Sequence, residues 1–233
     1  VLICGDLFDK DFYNYSDFEK LTADFPKLNI WILPGNHDLG VSSRSLVGKN
    51  LRIFEEPTIM KDDLSFLLVP YQSETTMGEV IASQMKSLMP KQWVLFGHGD
   101  WLDGIRTPNP LEPGTYMSLT RKDLESYQPA KVFLGHIHSP SDSPIYYPGS
   151  PCGIDITETG NRSFLVFDTK TLNVDRRLIH TDFIYQIINL IILPVEDEVT
   201  YLQRLIAYEK EKWKTNNNDI AHIKIRVKVQ GYT

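Results

Sequence analysis

Short apolar runs, each closed by a glycine and then by an acid, amide or imidazole, punctuate the first two thirds of this chain. Val1–Cys4 precedes Gly5-Asp6, with Asp9 close behind, and Asn29–Leu33 precedes Pro34-Gly35-Asn36-His37-Asp38. Gln92–Phe96 precedes Gly97-His98, and Lys131–Leu134 precedes Gly135-His136-Ile137-His138. Apolar runs of this length bounded by turn formers predict buried strands. Between the first two, Ser16-Asp17-Phe18-Glu19 has capping-box spacing. Phe18, Leu21 and Phe25 then recur at helical spacing until Pro26 stops the helix. The opening therefore reads β-α-β, with parallel strands and a right-handed crossover.

Further pieces follow the same logic. Residues 51–54, 57–60 and 65–69 read as short strands, and Val80, Ile81, Met85, Leu88 and Met89 form a core-facing stripe on a helix over 79–89. A second helix is expected over 120–127, and a strand and turn over 145–151. Residues 163–168, 172–179 and 185–193 read as antiparallel strands. A helix over 195–214 has acids in its first turn and lysines near its end, matching the helix dipole. Ile223–Val229 alternates strictly between apolar and basic residues, and the basic row of Lys224, Arg226 and Lys228 reads as a charged edge. The segment 102–118, rich in proline, is too long for a plain connection. Because it follows His98 and carries Arg106 and Tyr116, with Trp101 just before it, a substrate-facing role is expected.

Composition narrows the class. A hydrophobic fraction of 42% and a charged fraction of 23% over 233 residues are those of a globular protein with a sizeable core. No apolar stretch reaches the roughly 20 residues that span a bilayer. Two cysteines, Cys4 in a strand and Cys152 in a loop, read as reduced thiols in a cytoplasmic protein, with a disulfide between them the alternative. The net charge of -6 argues against a generic nucleic-acid coat. Residues 201–233 carry seven basic and three acidic side chains, leaving 17 basic and 27 acidic, a balance of -10, for residues 1–200. Bound cations would offset part of that acidity. The chain opens within a strand and ends at Thr233, and it is expected to be a fragment.

Four strand ends that each deliver Asp, Asn or His predict a metal-centred site, since sites in open α/β sheets collect beyond the carboxyl ends of strands. Imidazole, carboxylate and amide together suit Mn²⁺, Fe²⁺ or Zn²⁺, and the absence of cysteine from the set disfavours structural zinc. His136 and His138 could serve two ions, and Asp6, with two oxygens, could bridge them. Two such ions suit in-line phosphoryl displacement. Asp100 and Asp103 are expected to be solvated loop carboxylates, and His180 and His222 surface or core histidines.

Gly5-Asp6-Leu7-Phe8-Asp9, Gly35-Asn36-His37-Asp38, Gly97-His98 and Gly135-His136-Ile137-His138 resemble the motif series of the calcineurin-like metallophosphoesterases. With Tyr147-Pro148-Gly149-Ser150-Pro151, they are most similar to the SbcD-type DNA repair exonucleases. The resemblance implies an α/β fold, a four-layer β-sandwich flanked by helices. It further implies a metallophosphoesterase nuclease domain over 1–178 and part of a small α/β capping domain over 179–233. It also implies two divalent metal ions, manganese by preference. Asp6 would bridge both ions, Asn36, His98 and His136 would complete the second, and His138 would belong to the first. His37 would act on the leaving oxygen, with Asp9 fixing its ring and Asp38 supporting the loop. The family's Asp-x-His pair is expected upstream of Val1, so these residues alone are expected to be inactive. DNA, an SMC-like ATPase subunit and a second copy of the chain are the partners implied.

Overall fold

The computed structural model describes residues 1–9, 14–103, 114–211 and 222–231. Among them the chain is mixed α/β, with four α-helices and five small sheets. It divides into two compact units, Val1–Gly149 with Phe167–Val174, and Ser150–Val166 with Asp175–Thr233.

The first unit is layered, and alternation along its strands is the reason. Strands β1 (Leu2–Cys4), β2 (Ile30–Leu33) and β3 (Leu51–Ile53) form a parallel sheet with β2 in the middle. Helix α1 (Tyr15–Asp24) joins β1 to β2, as the β-α-β reading expects. On one face of this sheet Ile30 and Ile32 pack with Tyr15 and Phe18 of α1 and with Phe8. On the other, Trp31 and Leu33 meet Leu68, Phe66 and Phe96 of a second sheet. That sheet runs β4 (Thr58–Lys61), β5 (Ser65–Val69), β6 (Trp93–His98) and, beyond a gap in sequence, β9, with only the β4–β5 pair antiparallel.

Its outer face carries Leu67, Val69, Trp93 and Leu95, buried against helix α2 (Met77–Gln84). Two-residue strands β7 (Trp101–Leu102) and β8 (Leu119–Thr120) pair in parallel, and helix α3 (Arg121–Tyr127) leads into β9 (Lys131–Gly135). The order helix, sheet, sheet, helix gives four layers. Side chains alternate between the two faces of a strand, so near-continuous apolar runs such as Ile30–Leu33 are what allow both faces of each sheet to be covered.

Several local expectations change. Helix α1 starts at Tyr15 and Asn14 precedes it without a side-chain cap, so Ser16 lies inside the helix. Glu19, the residue expected to complete that capping box, instead accepts the backbone N–H of Val47 at 2.7 Å. Of the α1 stripe only Phe18 packs inward, while Leu21 and Phe25 are exposed. Capping boxes form instead at Thr76 with Glu79, which starts α2 two residues early, and at Thr120 with Asp123. That helix ends in a single 3₁₀ turn over Met85–Ser87, and Met89 is exposed. In the expected strand over 145–151, Tyr146 and Tyr147 make isolated bridges to Phe133 and Ser141 instead.

In the second unit the larger correction concerns pairing. Strands β10 (Ser163–Phe167) and β11 (Val174–Leu178) form a hairpin. Strand β12 (Phe183–Ile192), however, pairs in parallel with β13 (His222–Gly231) over ten residues. Helix α4 (Glu198–Glu211) lies between them in sequence. A connection of this length carrying a helix permits the crossover that parallel strands require. Arg162 is buried in this unit, donating to the carbonyls of Ser150 and Glu158.

Both cysteines are free. The Cys4 thiol packs against the cluster between the two sheets, and burial pushes its pKa up to about 12, partly offset by a hydrogen bond with the Gly97 backbone. Thiolate is the reactive form. Ellman titration at pH 8 is therefore expected to count one reactive thiol, the exposed Cys152, in the folded protein and two in guanidinium. Two fast thiols in the folded protein would contradict the packing of β1.

Candidate metal centre

Strands β1, β2, β6 and β9 run parallel to their sheet neighbours, so their carboxyl ends present Asp6, Asn36, His98 and His136. Close approach requires glycine at two places. A Cβ on Gly135 would overlap the Cys4 carbonyl, and one on Gly5 would overlap the His98 ring. Gly5 also has a φ of 85°, which glycine adopts without cost. Asp6 and His136 follow with φ of 52° and 91°, backbone that L-residues seldom take outside functional sites.

The side chains meet closely. His98 Nε2 lies 3.1 Å from Asp6 Oδ2 and 2.8 Å from Asn36 Oδ1, and His136 Nδ1 lies 3.1 Å from the same Asn36 oxygen. Ligating atoms of Asp6, His98 and His136 all fall within 4.8 Å of one another. His98 is fully buried, and its Nδ1–H donates to the Cys4 carbonyl at 2.7 Å. A carbonyl only accepts, so Nδ1 carries a proton: a neutral His98 turns its Nε2 lone pair toward Asp6 and Asn36, and a protonated His98 donates to them from Nε2. Lone pairs of a carboxylate, an amide oxygen and two imidazoles thus converge on one small volume. That donor set fits a divalent transition ion, and Asp6, Asn36, His98 and His136 are the residues that would hold it.

Burial raises the Asp6 pKa, but His98, by hydrogen bond and charge, and the His37 backbone and ring lower it further, leaving it below the usual range. Asp6 is therefore the ionised carboxylate of the site. Beside it, His37 donates its backbone N–H to Asp6 Oδ1 at 3.0 Å, and its ring Nδ1 lies 2.9 Å from Asp9 Oδ1. Nδ1–H donates to that carboxylate, which leaves Nε2 to exchange a proton. Asp38 accepts from Gly35 N, Asp6 N, Leu7 N and Phe8 N, binding the β1 and β2 loops together. Its pKa is raised, first by burial and then by Asp6, against the opposing pull of three amides.

His138 is exposed and stands outside the cluster of Asp6, His98 and His136. Asp100 corrects an expectation. Rather than a solvated loop acid it is buried, with Oδ1 3.8 Å from His136 Nε2 and Oδ2 accepting the Tyr116 N–H at 2.8 Å. Its place two residues after His98 was the available signal. Asp103 is bound to Arg121 through both oxygens at the surface. Trp101 packs against the core beneath the second sheet, whereas Tyr116 lies with its ring 4.8 Å from that of His136. Tyr71, which the sequence did not single out, stands edge-on to His98 at 6.1 Å. Arg106 lies outside the described residues. No helix among the described residues is long and apolar enough to cross a membrane.

Donors of this type, gathered beyond the carboxyl ends of parallel strands beside a carboxylate-held histidine, define a metal-dependent hydrolase site. The family model of the calcineurin-like phosphoesterases matches residues 1–171. The chain belongs to that family, whose members hydrolyse phosphate esters with divalent metals. No curated protein matches the chain.

Replacing Asp38 with Ala strips four backbone amides of their acceptor. At roughly 1 kcal/mol per bond the expected loss is about 4 kcal/mol in urea denaturation, together with weakened metal binding. A loss below about 0.5 kcal/mol would show that the loops hold without it.

Proposed function

We propose that this chain carries the catalytic centre of a DNA phosphodiesterase, a two-metal nuclease of the SbcD-like kind with manganese as its working ion. The observation that carries the reading is the convergence of Asp6, Asn36, His98 and His136 beside the His37–Asp9 pair. When bound, two divalent ions supply an activated water and neutralise charge on the phosphate oxygens.

The chain's own residues then have distinct tasks. Asp6 would contribute to both ions, Asn36, His98 and His136 would hold the second with it, and His138 would serve the first. His37, oriented through Nδ1 by Asp9, delivers the proton on Nε2 to the departing sugar oxygen as the P–O bond breaks. Support for DNA as substrate comes from three features. They are the SbcD-like motif run, the Tyr71 and Tyr116 rings beside the metal-site histidines, and the row of Lys224, Arg226 and Lys228. Aromatic faces stack bases and cations contact phosphates. A dimer working with an SMC-like ATPase in the cytoplasm belongs to the same reading.

A second reading, hydrolysis of nucleotides or other small phosphoesters, is favoured by the balance of -10 over residues 1–200, which repels a polyanion.

Assays of the full-length protein with Mn²⁺ on linear duplex DNA, single-stranded DNA and bis-nitrophenyl phosphate separate the two. Cleavage of the small ester alone would replace the nuclease reading by the second. Hydrolysis of none, with no metal bound, would leave a binding scaffold. His37→Asn is expected to keep the wild-type metal content while kcat falls about 10²- to 10⁴-fold, the range for loss of a general acid. Loss of metal by that variant would make His37 a ligand instead.

A further inference from the structure

Asp100 sits where three pieces of the site meet. Past His98, the strand end continues through Gly99, whose N–H donates to the Gly135 carbonyl at 3.3 Å and whose carbonyl accepts the Tyr147 hydroxyl at 2.8 Å. Asp100 then pairs with Tyr116 in both directions. Its backbone N–H donates to the Tyr116 carbonyl at 2.8 Å, and its Oδ2 accepts the Tyr116 N–H at the same distance. The other oxygen, Oδ1, stands 3.8 Å from His136 Nε2, with 4% of the Asp100 side chain and 3% of the His136 side chain exposed. At that separation the contact is too long for a hydrogen bond, but in a buried setting the charge still acts on the ring.

A neutral imidazole has one N–H and one lone pair, and the surroundings choose which nitrogen bears each. A carboxylate beside Nε2 favours the proton there. Asn36 Oδ1, 3.1 Å from Nδ1, pulls the other way, because an amide oxygen accepts an N–H; where the Asp100 charge prevails, the Nδ1 lone pair is left facing Asn36 and the cluster with Asp6 and His98. His98 has its tautomer fixed in the mirror sense, by a backbone carbonyl on Nδ1. We infer that Asp100 is the positioning residue of the metal ligand His136. It sets the tautomer of His136 by charge and, through the Tyr116 N–H, seats the Tyr116 ring against that imidazole. It touches neither substrate nor reacting atoms, so its effect falls on ligand readiness.

The inference rests on the metal-site reading, though not on DNA as the substrate, and its readouts include one that needs no metal. In the metal-free protein, long-range ¹H–¹⁵N correlation of the histidine rings is expected to show His136 as the Nε2–H tautomer. Asp100→Asn keeps an oxygen for the Tyr116 N–H and removes only the charge. The variant is expected to lose that tautomer preference and to bind Mn²⁺ alone, titrated by calorimetry, about 10- to 100-fold more weakly, the usual size of such indirect effects. Asp100→Glu, which restores charge, is expected to recover part of the affinity, whereas a purely structural role would not distinguish the two. A wild-type His136 found as Nδ1–H overturns the proposal, even if the Asn variant fails to fold. So does an Asn variant with unchanged tautomer and unchanged Mn²⁺ affinity. Failure of the whole protein to cleave DNA, with these two results as expected, would count against the substrate alone.

Discussion

Everything at this site depends on one buried carboxylate that contacts no ligand atom. Asp38 gathers four backbone N–H groups from two loops that lie some 30 residues apart in sequence. A hydrogen bond to a charged acceptor contributes about 1.5–3 kcal/mol, while desolvating an ion costs several. The two sums are comparable, so the carboxylate adds little net stability. What it supplies is direction. Two oxygens shared among four amides fix the β1 loop against the β2 loop, and with them the positions of Asp6 and Asn36. An apolar residue of similar volume would leave those amides unpaired and the loops free to separate.

Steric exclusion does the complementary work. The ends of β1 and β9 pass so close that Gly135 admits no Cβ beside the Cys4 carbonyl, and that same carbonyl orients His98. Two ligands, Asp6 and His136, sit in left-handed backbone regions that cost of order 1–3 kcal/mol each. Such conformations persist only where the surroundings over-determine them. Here the surroundings are the Asp38 amides on one side and the packed second sheet on the other. Geometry at the ligands is therefore imposed by the scaffold.

How much of this was legible beforehand follows from the range of each interaction. The glycine-plus-ligand islands are local patterns, and they located Asp6, Asn36, His98 and His136 as well as β1, β2, β6 and β9. The layers came from the family resemblance, since continuous apolar runs say only that both faces of a strand are covered, not by what. The role of Asp100 was not legible, since its partners, His136 and Tyr116, are distant in the chain and a Gly-Asp pair looks like any turn. The Ser16–Glu19 spacing misled because Glu19 finds a longer-range partner in Val47. Parallel pairing of β12 with β13 escaped for a similar reason. Strand propensity does not reveal direction, and only the intervening helix α4 argues for a crossover.

The inward-facing lone pairs impose a final constraint. With Cys4 accepting from His98 and Asp100 biasing His136, neither neutral ring turns an N–H toward Asp6 or Asn36. With both rings neutral, four acceptors would face one another at hydrogen-bonding separations, and either a protonated histidine or a bound cation relieves their repulsion. Binding to the folded state alone stabilises it by mass action, and the gain grows with the logarithm of ion concentration over Kd. Imidazole nitrogens beside an amide oxygen and a carboxylate suit a divalent transition ion, whereas Ca²⁺ and Mg²⁺ prefer oxygen alone. Such a donor set works only with the two ring lone pairs turned inward, so the proton positions on His98 and His136 condition binding.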